Sequence, residues 1–387
     1  MKFPRALLWR YLNQNMNNEQ LPGLYIHIPF CRSKCLYCDF YSEIDAALIP
    51  AWQSALEKEA LLYRDRFSSF DTLYVGGGTP TGLESSALLS LFGCLYRNFQ
   101  FTASAEITIE ANPNDISREK LRILQVCSVN RVSLGVQSFD EQELLFLQRR
   151  HTAHEAEQAL ELIRACGFTN LGVDLIYGIP GQTIEAWLKT LERAVSFHPE
   201  HISCYQLTVA EGTRLWEMQE SGMVTLADEK EGEAFFLTTA QFLEEHGYLH
   251  YEISNFARGE TNCSRHNQKY WQHIPYLGLG PAAHSFQHGI RWWNHRSVAS
   301  YCQDLEEGRA PVSGTEMLTG EQLHLEALCL GLRTRAGLDL HQIRTNKRFD
   351  AVLKELLESE HVQIIDGRLI PTRKGFLVAD RLPLTFM

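Results

Sequence analysis

Leu24-Tyr25-Ile26-His27-Ile28-Pro29-Phe30-Cys31-Arg32-Ser33-Lys34-Cys35-Leu36-Tyr37-Cys38-Asp39-Phe40 carries an apolar run straight into three cysteines spaced C-x3-C-x2-C. Thiolates are soft donors, and three of them this close in a chain can converge on one centre of the iron–sulfur or zinc type. A zinc site wants two separated Cys or His pairs, and no second C-x2-C follows. A disulfide reading leaves one of the three thiols over. An iron–sulfur cubane is ordinarily held by four cysteines, so three ligands leave one iron with an open coordination position. That opening is the chemical point of the motif.

Working outward, the 387-residue chain is 44% hydrophobic and 21% charged, a globular composition with room for a barrel-sized domain and a smaller one. No apolar run approaches the ~20 residues needed to span a bilayer. The formal net charge of −11 argues against a general nucleic-acid-binding surface. Of the ten cysteines, those outside the triplet stand singly, mostly beside apolar neighbours. They read as small core residues in a reducing compartment, and the expected location is cytoplasmic. Residues 1–22 read as an N-terminal extension, basic at Lys2, Arg5 and Arg10, with neither a secretory apolar core nor a small-residue cleavage pattern. A disordered or helical segment is expected there.

From Leu24 onward strand candidates alternate with amphipathic stretches. The strands are expected at Leu24–Ile28, Thr72–Val75, Glu106–Glu110, Arg131–Val136, Leu171–Ile176 and His201–Gln206, and the helices near 50–64, 83–97, 117–127, 140–148, 154–166 and 183–197. Ser117 and Thr183 stand at N-cap positions, and Gly167 where a C′ glycine belongs. Strict alternation implies parallel pairing through right-handed crossovers. Six such units are two short of a closed eightfold barrel, so the pattern alone fits either an open sheet or a partial barrel. Functional residues then belong at the C-terminal ends of the strands.

Beyond about residue 210 the alternation stops. A helical pattern covers 227–246, and an aromatic, Gly- and His-rich region from 247 to 301 shows little periodicity and is long for a plain loop. A helix from Thr319 to about Arg333, a second near 349–359, short strands at Val362–Ile365 and Arg368–Ile370, and a terminal helix from Thr372 resemble a small winged-helix-like α+β unit. The expected division is therefore 1–22 extension, 23–210 α/β domain, 211–315 helical and aromatic/His-rich linking region, and 316–387 C-terminal unit.

Several strand ends carry polar groups. The second ends in Gly76-Gly77-Gly78-Thr79-Pro80, where absent Cβ atoms let backbone groups approach a ligand; it lacks the Lys-Ser/Thr of a P-loop and the spacing of a dinucleotide fingerprint. The third ends at Glu110, an acceptor for hydroxyls or an ammonium. The fourth ends at Gln137, with Arg149 following on the next helix as a bidentate partner for a carboxylate. The fifth carries Asp174 among apolar residues, where an acid is costly unless paired and is a site candidate on that ground.

C-x3-C-x2-C with an aromatic residue, Tyr37, before the last cysteine resembles the signature of the radical S-adenosylmethionine (SAM) enzymes, and the longer string YIHIPFC…CxYCDF narrows the resemblance to the coproporphyrinogen III oxidase-like branch. The resemblance implies a partial (β/α)6 barrel and a [4Fe–4S] cluster on Cys31, Cys35 and Cys38. It implies SAM bound by its amino and carboxylate groups at the open iron, where electron transfer cleaves it to a 5′-deoxyadenosyl radical. The implied SAM contacts are Tyr25, which reads equally as a barrel-filling aromatic, Tyr37 along the adenine, the Gly77-Gly78-Thr79 turn, Glu110, Gln137, Arg149 and Asp174. The match is dense over about residues 23–210.

Two features divide that branch. Its coproporphyrinogen oxidases carry a further cysteine two positions after the third, where this chain has Phe40, and an N-terminal segment that helps hold substrate, whereas the first strand here begins by Leu24. His266-Asn267-Gln268-Lys269-Tyr270-Trp271 resembles the H-N-x-x-Y-W signature of the HemW branch, regarded as haem chaperones. An imidazole can ligate haem iron, and Tyr and Trp can pack on a porphyrin face. This resemblance implies haem contact at His266, Asn267, Tyr270 and Trp271, with His250, His273, His284 and His288 nearby as other candidate ligands. It implies haem as cargo and recipient haemoproteins such as respiratory cytochromes as partners, and no nucleic acid. A homodimer and a peripheral membrane contact are compatible with the sequence. The alternatives are an oxygen-independent coproporphyrinogen III oxidase, whose radical takes hydrogen from propionate side chains before loss of CO2, and a regulator that keeps the cluster as a sensor.

Overall fold

The computed structural model describes residues 20–341 and 347–386, so the expected extension lies, as far as residue 19, outside the described residues. Six parallel strands follow one another in space as in sequence: β1 (Gly23–Ile28), β2 (Ser69–Gly77), β3 (Gln100–Ala111), β4 (Arg131–Gln137), β5 (Leu171–Tyr177) and β6 (His201–Gln206). The helices between them start where short polar side chains satisfy free N–H groups. Ser117 Oγ accepts from Lys120 N, Thr183 Oγ1 accepts from Ala186 N, and Thr152 and Glu155 form a reciprocal capping box. Gly167 ends the helix Ala153–Ala165 at φ 88°, a left-handed conformation that costs glycine nothing.

Side chains alternate along each strand, and here the alternation separates two different chemistries. Leu24, Ile26, Leu73, Val75, Ile107, Ile109, Val132, Leu134, Leu171, Val173 and Ile202 are buried and pack with Trp52, Leu56, Leu91, Leu160, Trp187 and Leu191 of the surrounding helices. The other face carries Tyr25, His27, Tyr74, Glu110, Arg131, Ser133, Asp174, His201, Ser203 and Tyr205. Barrel interiors of this kind are usually filled with branched apolar side chains. This one is polar, and it leaves a cavity.

The region expected as a helical and His-rich link, 211–315, contains strands that extend the same sheet at both ends, which corrects that reading. At one end β7 (Leu249–Glu252) and β8 (Asn255–Ala257) form a hairpin whose β8 runs antiparallel to β6. At the other, β9 (Tyr276–Leu279) pairs parallel with β1, and β10 (His284–Gln287), β11 (Ile290–Asn294) and β12 (Val312–Met317) add an antiparallel ribbon. The resulting twelve-stranded order is β12-β11-β10-β9-β1-β2-β3-β4-β5-β6-β8-β7. Strands as short as β8, with 3 residues, or β9, with 4, are too brief for a period-two pattern to register, and their partners lie far away in sequence.

The C-terminal unit has its own core of Leu332, Leu356, Val362, Leu369 and Leu382 beneath a small sheet in which β15 (Arg368–Pro371) lies between β13 (Leu338–Asp339) and β14 (Val362–Ile365). It docks on the helix Glu229–Glu245 through the Arg373–Glu244 ion pair and on the β7 end of the sheet through the His250 and Phe376 rings, 4.9 Å apart.

A buried carboxylate ties the β9–β11 extension to the barrel. Glu59, on the helix Ile49–Tyr63, is fully buried and accepts from Gly280 N (2.8 Å), Asn294 Nδ2 (2.6 Å) and Tyr301 Oη (2.6 Å). Burial pushes its pKa up to about 7 against the pull of those three donors. Glu59→Ala leaves Gly280 N and Tyr301 Oη without an acceptor in the core, while Asn294 Nδ2 keeps Gly280 O at 2.9 Å, and we expect it to lower the unfolding free energy by about 3 kcal/mol in urea denaturation.

Candidate metal centre and ligand cavity

The C-terminal ends of β1–β6 open into a cavity of ≈1220 Å3, large enough for a cofactor-sized ligand. The cysteine loop forms part of its mouth. Leu36 anchors that loop, buried among Leu147, Ile176, Ile179, Leu207 and Leu215, and its carbonyl accepts from Leu215 N at 3.0 Å. Cys38 N donates to Cys35 O at 3.2 Å, which closes a tight turn, and Cys31 N donates to Glu43 O at 2.9 Å. Thr79 Oγ1 stands 3.6 Å from Cys31 Sγ, and Arg149 Nη1 stands 3.4 Å from Cys35 Sγ.

The glycine turn after β2 is latched to this loop. Gly78 N donates to Ile28 O and Thr79 N to Phe30 O, each at 2.8 Å. A Cβ on Gly78 would lie 2.5 Å from Phe30 O, and one on Gly77, at φ 106°, would lie 2.6 Å from the His27 ring. Both approaches require glycine. His27 is itself held, with Nε2 2.8 Å from Tyr41 O and Nδ1 3.0 Å from Tyr25 Oη. Burial lowers its pKa to about 4, so the ring is neutral.

Deeper in, Glu110 accepts from Tyr74 Oη (2.8 Å) and Gly77 N (3.1 Å), and burial pushes its pKa up to about 7. Gln137 is buried at φ 70°, where the register between β4 and β5 shifts, and this bulge turns the strand end toward the cavity. Arg149 Nη2 donates to Gly135 O at 2.7 Å, while its Nε is buried with no partner among the described residues. Asp174 accepts from Ser133 Oγ at 3.1 and 3.2 Å, and burial raises its pKa.

Cys31, Cys35, Cys38, Tyr37, Gly77, Gly78, Thr79, Glu110, Gln137, Arg149, Asp174 and Asn267 therefore line one cavity. Tyr25 does not line it: its ring lies beneath Tyr74, 6.2 Å away, with the hydroxyl on His27. Of the H-N-x-x-Y-W residues on the helix Arg265–Trp271, Asn267 alone is among the lining residues. His266 is 1% exposed, with Nδ1 2.9 Å from Thr72 Oγ1 and Nε2 2.8 Å from Tyr270 Oη, so neither nitrogen is free in this arrangement. Burial lowers its pKa to about 3. Trp271 lies under the Arg333 guanidinium at 5.6 Å. His250 is stacked on Phe256 with ring centroids 4.2 Å apart.

Lining residues that the sequence reading passed over are Tyr74, Arg131, Ser133, His201, Ser203 and Tyr205. Their signal was present, since each is a polar residue at an alternate position of a strand whose other positions are apolar.

Residues 25–194 match the radical SAM superfamily, and residues 318–378 match the HemN C-terminal domain. The heme chaperone HemW of Bacillus subtilis is 33% identical over 94% of this chain and 98% of its own length. This chain belongs to the HemW family of radical SAM proteins. The heme chaperone HemW of Mycobacterium tuberculosis is 34% identical over 94% of both chains. Among solved structures, the Escherichia coli coproporphyrinogen III oxidase HemN, a radical SAM enzyme, is 25% identical with a TM-score of 0.84, covering 99% of this chain and 93% of that one.

Membership of the radical SAM superfamily implies a [4Fe–4S] cluster and SAM. The donor set fits. Cys31, Cys35 and Cys38 bring three thiols to one loop on the cavity, one fewer than the four ligands of a closed zinc site, and thiolates are the donors a cubane takes. The guanidinium beside Cys35, with its Nε unpartnered, suits an anionic cluster and a carboxylate. Replacing Cys31, Cys35 or Cys38 by Ala is expected to abolish bound iron, sulfide and visible absorbance after anaerobic reconstitution, whereas Cys166→Ala leaves all three at the wild-type level.

Proposed function

We propose that this protein is a haem chaperone, which binds haem and passes it to recipient haemoproteins, respiratory cytochromes among them, in the cytoplasm. In this reading it holds a [4Fe–4S] cluster on Cys31, Cys35 and Cys38 with SAM at the open iron. The observation that carries the reading is that one cavity joins the cysteine loop to Asn267 of the H-N-x-x-Y-W helix, in a chain whose full-length relatives are heme chaperones.

When bound on Cys31, Cys35 and Cys38, the cluster would supply an open iron for SAM and an electron for its cleavage. The chain's own groups do the positioning. Arg149 offers its free Nε to a carboxylate, the Gly77-Gly78-Thr79 turn presents backbone without side-chain obstruction, and Glu110 and Asp174 accept from hydroxyls or an ammonium. Phe40, 63% exposed at the cavity mouth, stands where the oxidases of this branch carry a further cysteine. A phenyl ring has no thiol to offer, which opposes the decarboxylase reading despite the fold shared with HemN. An anaerobic assay with SAM and coproporphyrinogen III, run beside a haem titration followed by the Soret band, separates the two. Haem binding without decarboxylated product is the expected result.

For His266 to ligate haem iron, its Nε2 must exchange Tyr270 Oη for the metal. Tyr270→Phe removes the competing hydroxyl and is expected to tighten haem binding, whereas His266→Ala weakens it and leaves cluster absorbance intact. Equal haem affinity in both variants and the wild type would show His266 to be structural.

Glu110, with a pKa of about 7, is protonated below that pH and charged above it. Donors on SAM favour the charged form, so SAM affinity should rise between about pH 6 and about pH 8. Calorimetric titration of Glu110→Gln should show weaker binding and a flattened pH dependence.

A further inference from the structure

The base of the cavity, at the end of the barrel away from the cysteines, carries two buried donors that no role above employs. Arg131, at the start of β4, is 2% exposed; its Nη1 donates to Asn170 Oδ1 (3.0 Å) and Asn262 O (3.2 Å). Among the described residues no carboxylate lies within ion-pair distance of it. A buried guanidinium with no carboxylate in direct contact is costly.

Beside it on the cavity wall is His201, also 2% exposed. Its Nε2 lies 2.7 Å from Tyr251 Oη, and that oxygen already accepts from Ser264 N at 3.3 Å. Among the described residues Nε2 is the one acceptor in reach of the tyrosine hydrogen, which assigns that hydrogen to Nε2 and the imidazole proton to Nδ1. Burial holds the pKa well below the ordinary histidine value, so the ring is neutral with a single N–H. Nδ1 is buried with no partner among the described residues. The residue facing it on β5 is Gly172, whose missing Cβ would stand 3.7 Å from Nδ1 and 3.2 Å from Ser133 Oγ, so no β5 side chain covers the approach to Nδ1. Of the acids around this point, Asp174 is occupied by Ser133 and Glu106 by the N–H groups of Arg265 and His266.

We infer that Arg131 and His201 Nδ1–H form a carboxylate-binding subsite at the base of the cavity. A guanidinium and a neutral N–H donor on one cavity wall recognise an anionic acceptor, and at the low dielectric of a buried site such a bond is strengthened. Two ligands of this cavity carry carboxylates. That of SAM belongs with Arg149 at the mouth, which leaves the base for a propionate of the porphyrin; the choice of porphyrin rests on the haem-chaperone reading, whereas the subsite itself does not.

The test compares haem with haem dimethyl ester by Soret titration, and SAM with decarboxylated SAM by calorimetry, on the reconstituted full chain. Wild type should prefer free-acid haem over the ester by roughly tenfold, as expected for one charge-assisted contact. Arg131→Gln and His201→Phe should abolish that preference while binding the ester as the wild type does. Loss of the SAM preference in the variants instead would assign the same subsite to the carboxylate of SAM. Thermal melts check that each variant folds, and if Arg131→Gln does not, His201→Phe decides. A wild type that distinguishes neither pair, or folded variants that keep the wild-type preferences, overturns the subsite. Failure of the wild type to bind haem at all counts against the chaperone reading alone, and the SAM pair still tests the subsite.

Discussion

Two backbone hydrogen bonds, from Gly78 N to Ile28 O and from Thr79 N to Phe30 O, lock the end of β2 against the loop that leaves β1. They exist because neither Gly77 nor Gly78 has a Cβ, and the same closeness brings Thr79 to Cys31 and Gly77 N to Glu110. The three thiols, the glycine turn and the first buried carboxylate thus share one rigid backbone frame. A cluster ligand held on a frame of this kind need not be ordered when the cluster arrives, which reduces the entropy lost on assembly.

Around that frame the sheet separates its two faces by chemistry. The apolar face packs under helices and supplies the burial that stabilises the fold. The polar lining is incompletely satisfied: Arg149 Nε and His201 Nδ1 have no partners among the described residues, and Glu110 and Asp174 have raised pKa values because burial disfavours their charge. Buried polar groups left in this condition lower stability, and they are retained where a ligand completes them. The mouth and the base of the cavity differ in softness, with thiols and a guanidinium above and, below, an arginine that has no carboxylate within ion-pair distance among the described residues.

The C-terminal unit takes part in the same enclosure. Arg333, Lys374 and Phe376 line the cavity together with residues of β4–β6. Phe376 also packs on His250, which joins the unit to the end of the twelve-stranded sheet.

The six parallel strands, their helices and the cysteine loop were legible in the sequence because each rests on a local pattern: period-two apolar runs, capping residues such as Ser117 and Thr183, and C-x3-C-x2-C. Cys31, Cys35 and Cys38, Glu110, Arg149 and Asp174 were legible because strand ends and tight spacing bring such residues together in any fold of this class. The strands β7–β12 were not, since a strand of three or four residues is defined by its partner and not by its own periodicity. Nor were the hydrogen bonds of Tyr25, which reads equally as a SAM contact or a barrel-filling aromatic, and of His266, expected at haem: the fold pairs them with His27, and with Thr72 and Tyr270. Spacing along the chain specifies which residues can meet, whereas only the packed structure decides which hydrogen bonds a buried side chain has left to give.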